Sequence, residues 1–124
     1  MNISHSLGWQ KGRMVQCAEI ELELKNTGLK SQGLVLPDGL HPPRANAIQF
    51  GANVFSGPFR SKVVVYSHLS TIVVAVRAVP CDTTVWGVAY VTFQAMCDAF
   101  GIDGNSVFSF DRQTGKFTLS LPCL

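Results

Sequence analysis

Glutamates at alternate positions, Glu19, Glu21 and Glu23, are the densest set of chemically able side chains in this 124-residue sequence. Grouped carboxylates can bind a hard cation or divide general acid and base work between them. On an extended chain, residues two apart lie about 7 Å from one another. No histidine or aspartate stands close by in sequence, so the three acids fit a solvated or interface face better than a metal site. Basic groups on a neighbouring molecule would make them assembly contacts.

The four cysteines, Cys17, Cys81, Cys97 and Cys123, are scattered and form no C-x-x-C pair. Cys97 with His68 and Asp98, or Cys81 with His41, could be assembled into a nucleophile and its base. With three histidines and four cysteines, such pairs arise by chance. No G-x-S-x-G elbow is present. Buried thiols of a reducing compartment are the simpler reading. Asp103-Gly104-Asn105 opens like a calcium loop but lacks the later glycine and the closing glutamate, which leaves a tight turn. Neither phosphate-binding glycine motif occurs, so the sequence gives no reason to expect a metal or a nucleotide cofactor.

A third set, Arg60, Lys62, Tyr66, Arg77, Trp86 and Tyr90, combines the stacking rings and cations that single-stranded nucleic acid requires. Against that reading, the net charge is only +2, and aromatics on apolar strands more often fill a core. Over residues 25–62 the basic residues Lys25, Lys30, Arg44, Arg60 and Lys62 face the single acid Asp38. A bias of that size usually marks a solvated face.

These side chains need a frame, and the sequence suggests a β-rich one. Residues 62–93 read as three consecutive strands, broken by turn chemistry at Ser67-His68-Leu69-Ser70 and Pro80-Cys81-Asp82-Thr83. Both alternating rows are apolar there, so both faces of those strands should be covered, by the chain itself or by another subunit. Residues 14–25 form a cleaner strand, with Ala18, Ile20, Leu22 and Leu24 inward and the glutamates outward. Asn26-Thr27-Gly28 then signals a hairpin with a weaker strand over 29–36. The first twelve residues show no period and suggest a flexible arm whose Trp9 docks on a neighbour. Residues 37–60, rich in proline and glycine, suggest a long loop or inter-subunit arm.

Towards the end, Phe93, Met96, Cys97 and Phe100 recur at helical spacing before Gly101 and predict one short helix over 93–100. Phe108 and Phe110 should pair with Phe117, Leu119 and Leu121 across a turn in which Gly115 is left-handed. The expected fold is one mainly β domain over residues 1–124, either an antiparallel sheet sandwich or a partly open barrel.

Composition sharpens the functional expectation. Hydrophobic residues make up 47% of the chain and charged residues 15%, against about 25% charged in an average soluble domain. Low charge suits a subunit whose surface is largely interface. No run approaches the roughly 20 apolar residues that cross a bilayer, and the N-terminus lacks a secretory pattern. The expectation is a non-catalytic homo-oligomeric structural subunit made in a cytoplasm, a viral or phage coat or other virion component among them. Its interface candidates are Trp9, Glu19, Glu21, Glu23, Pro42, Pro43, Phe55 and Phe59. The alternatives are an OB-like binder of single-stranded nucleic acid, RNA included, and a small enzyme with a Cys/His site. Membrane and cofactor partners are not expected.

Overall fold

A computed structural model describes residues 2–26, 33–59, 69–78 and 85–120. The strand expected around the glutamates forms as β2 (Met14–Asn26). Its inward row, Ala18, Ile20, Leu22 and Leu24, is buried, while Glu19 on the opposite row is exposed. Period-two alternation therefore decides which face meets the core.

Ahead of it the expected arm is a strand, β1 (Asn2–Lys11). Ile3, Leu7 and Trp9 turn inward, and Asn2, Ser4, Ser6, Gly8 and Gln10 are all exposed. β1 pairs with β2 antiparallel from Asn2↔Glu23 to Lys11↔Met14. Gly12, at φ 61°, supplies the positive dihedral demanded by so tight a turn.

The strand β3 (Gly33–Val35) does not return along β2 as a hairpin. It lies parallel to β4 (Leu69–Ala78), giving a four-stranded sheet of order β1-β2-β4-β3. Parallel neighbours need a crossover, and residues 36–59 supply its described part. They are not a long loop: α1 (Pro42–Phe59) occupies most of the segment. The His41 carbonyl accepts from Arg44 and Ala45 at 2.9 and 3.1 Å. Pro42 and Pro43 sit in the first turn, where a missing N–H costs nothing.

Of the three strands expected over residues 62–93, the first falls on residues 62–68, outside the described residues, and the second forms as β4. Val85 begins α2 (Val85–Phe100), a helix twice the expected length that absorbs the anticipated third strand. Residues 87–97 of α2 are buried on nearly every side, Tyr90 alone being half-exposed. A helix covered all round shows no amphipathic stripe, and its β-branched run imitates a buried strand. Its C-terminus is as expected. Gly101 is left-handed at φ 66°, and the amides of Gly101 and Ile102 donate to Asp98 and Cys97, a Schellman cap.

α2 lies across β1 and β2, and α1 packs alongside α2. They meet at Gly51, where an added Cβ would collide with the Ala89 carbonyl oxygen and lie 3.0 Å from Thr92 Cβ. The last unit is the expected hairpin, β5 (Phe108–Asp111) and β6 (Lys116–Leu119), with Phe108↔Leu119 and Phe110↔Phe117 in register and Gly115 at φ 72°. Leu121 lies outside the described residues. Among the described residues the fold is thus strand-rich, with two sheets and two helices, and the larger sheet ends at β1 and β3 without closing a barrel.

Gly51→Ala separates helix propensity from packing. Alanine should favour an isolated helix by about 1 kcal/mol, yet overpacking at the α1–α2 contact costs about 1–3 kcal/mol. Urea denaturation should show net destabilisation; a stabilised variant would mean that the helices cross elsewhere.

Candidate interaction surface

Of the residues singled out from the sequence, the structure brings few together. Trp86 stands in the first turn of α2, 44% exposed. Its ring meets Phe50 of α1 edge-on at 5.6 Å, and Phe50 is itself 38% exposed. Beneath them, at the junction of the two helices, is an apolar recess of about 480 Å³ lined by Pro43, Asn46, Ala47, Phe50, Trp86 and Ala89. None of those six side chains titrates. Pro43 was an interface candidate and Trp86 a nucleic-acid candidate, while sequence reasoning missed Phe50. Once α1 is seen as a helix the signal is present: Ala47, Ile48, Gly51, Ala52, Val54 and Phe55 form the buried stripe, and Phe50 falls outside it.

On its other side Trp86 borders a recess of about 290 Å³, lined also by Gln16, Gly115, Lys116, Phe117 and Leu119. The Gln16 side-chain oxygen is buried there with no hydrogen-bond partner among the described residues. Tyr90 lies one helical turn beyond Trp86, half-buried against Phe108, Phe117 and His5. Burial raises its hydroxyl pKa, a tendency opposed by Arg112 and reinforced by Asp98 and Cys97.

Other candidates are used internally. Trp9 does not reach for a neighbour: its indole nitrogen donates to the Arg112 carbonyl at 2.6 Å, and its ring meets Phe110 edge-on at 5.7 Å. Gly115 leaves room for that ring, since an added Cβ would stand 3.0 Å from Trp9 Cζ2 and closer still to two other ring carbons. Phe55 is fully buried, stacked on Phe100 at 5.5 Å. Glu19, Glu21 and Glu23 share the sheet face opposite the core, Glu19 exposed and the other two half-buried, and Pro42 is exposed at the start of α1. In the ladder Arg77 is the register partner of Glu19. Arg60, Lys62, Tyr66, His68 and Cys81 lie outside the described residues, as does the side chain of Phe59.

The reactive groups are likewise tied into structure. Cys97 is fully buried, and desolvation, with Asp98 and Asp103 adding to it, pushes its thiol up to about 12. A thiol so placed holds its proton and makes a poor nucleophile. Asp98 instead meets His5 Nδ1 at 3.0 Å, joining α2 to β1. Asp103 accepts from the Asn105 amide at 3.1 Å, the expected tight turn. Among the described residues no three His, Cys, Asp or Glu side chains group as a metal site, and no helix is long and apolar enough to cross a membrane.

The buried thiol has a thermodynamic consequence. Unfolding returns Cys97 to its ordinary value near 9, so the unfolded chain ionises first. The Cys97 contribution to stability is therefore fully present below pH 9 and is lost as pH rises towards 12. By pH 10.5 the loss should be about 2 kcal/mol, and Cys97→Ala should lack that component in urea titrations. Parallel pH profiles for the two proteins would contradict the assignment.

No family model and no curated protein matches this sequence. Among solved structures the chain is similar to a Thermus thermophilus protein designated ttk003000868, with a TM-score of 0.57 and 15% identity, over 76% of this chain and 14% of that one. At that identity the likeness concerns the fold alone, and this chain corresponds to a small part of a much longer protein.

Proposed function

We propose that this chain is a non-catalytic module that assembles with copies of itself. The observation that carries the reading is the pair of exposed rings, Phe50 and Trp86, over an apolar recess at the helix junction. Scattered surface hydrophobics are ordinary, whereas contiguous aromatic surface around a recess marks an interaction site. Aromatic anchors seated in pockets dominate the energetics of protein interfaces. The 15% charge content supports the same reading, because it leaves the surface few charges to oppose association.

A second reading, stacking of single-stranded nucleic acid, is favoured by one feature: Trp86 and Lys116 line the same recess, a ring beside a cation. Such binding would weaken steeply with salt. Apolar association would not.

The double variant Phe50→Gln/Trp86→Ser tests the assembly reading. Its light-scattering mass should fall towards the 13.5 kDa of a single chain, with the far-ultraviolet circular dichroism retained. A mass unchanged from the wild type would remove this surface from the assembly. Salt-sensitive binding of an oligothymidylate by a monomeric wild type would favour the second reading.

A further inference from the structure

The outer edge of β1 is unfinished. In the sheet order β1-β2-β4-β3, β1 has a neighbour on one side only among the described residues. The N–H and C=O of one residue point to the same edge of a strand, and the direction alternates along it. Arg112 Nη1 donates to the Gly8 carbonyl at 3.4 Å from outside the sheet. Gly8 therefore faces the free edge, and so do Ser6, Ser4 and Asn2. The hairpin turn guards the far end of this edge, through that bond, the Trp9–Arg112 bond and a 2.9 Å bond from Lys11 Nζ to the Gln113 carbonyl. Among the described residues nothing guards Asn2, Ser4 or Ser6, whose outward backbone groups have no partner. Soluble proteins blunt such edges with lysine, proline or a bulge. This stretch has none of the three.

We infer that residues 2–6 of β1 pair antiparallel with the same residues of a second copy, about a two-fold axis at Ser4. This deepens the assembly reading and rests on it. The register sets Ser4 against the partner's Ser4 and Asn2 against the partner's Ser6, three pairs that each exchange two backbone hydrogen bonds. Several features favour a second copy over an unrelated strand. Every side chain brought together on the open face is small and uncharged. The nearest like charges are the glutamates of β2, for Glu21 is in register with Ser4. Across the axis the two Glu21 positions would stand three strand spacings apart, about 14 Å. That exceeds the Debye length of about 8 Å at physiological ionic strength, so their repulsion is largely screened. On the other face Ile3, partly buried at the core's margin, would gain the partner's His5 as cover. The result is one continuous eight-stranded sheet with both pairs of helices on the same side.

Ser4 opposes itself in this register, which makes the test sharp. Ser4→Lys and Ser4→Glu, both on the exposed face of a folded strand, should each weaken self-association at least tenfold by sedimentation equilibrium. An equimolar mixture of the two should regain it, because lysine then faces glutamate. If both variants associate as tightly as the wild type, or the mixture fails to recover, the β1 interface is wrong while assembly through Phe50 and Trp86 still stands. A wild type monomeric at every concentration would overturn both.

Discussion

The structure depends on burying α2. Val88, Val91, Phe93, Ala95, Met96 and Cys97 point in several directions around this helix, and each is at most 1% exposed. Burying an aromatic or aliphatic side chain of this size contributes about 1.5–3 kcal/mol, provided something covers every side. Three elements share the task. The β1–β2 ladder lies beneath, α1 closes against Ala89 at Gly51, and Phe108 of the hairpin covers a third side, touching Trp86, Tyr90 and Phe93.

That demand explains what is left open. α1 and α2 engage one another and α2 lies on the inner side of β1 and β2, so among the described residues the opposite face of those strands has no helix packed on it and carries the serines and glutamates. A chain of aromatic contacts runs from Phe50 through Trp86, Phe108, Tyr90 and Phe110 to Trp9. At the Trp9 end it is sealed by Gly115 and the Arg112 carbonyl. At the Phe50 end it emerges at the surface. The same cluster that docks the hairpin thus ends in the proposed contact surface, and the hairpin turn that holds Trp9 also guards half of the β1 edge.

Sequence alone revealed the parts in which one face is wet. β2 was legible because its alternation is strict. The second half of α2 was legible from its spacing and Gly101, and the hairpin from paired phenylalanines about Gly115. The first half of α2 was not, since full burial erases the period that separates helix from strand. α1 was misread because Pro42 and Pro43 resemble loop punctuation, although proline is equally at home in a first helical turn. β1 was hidden by short polar residues on its open face, and the parallel partner of β3 lies too far along the chain for local pattern to reveal. The candidate surface suffered from the same errors. Trp86 was noticed as a strand residue, Phe50 was lost inside a supposed loop, and Trp9 was sent outward when Gly115 had made room for it within.

The central claim is that the open surfaces of this fold are completed by further copies of the chain. Sedimentation equilibrium of the unmodified protein over a wide concentration range tests it most directly. The account predicts a mass that rises with concentration to at least twice 13.5 kDa and is little changed by salt. A constant mass of one chain throughout would contradict it.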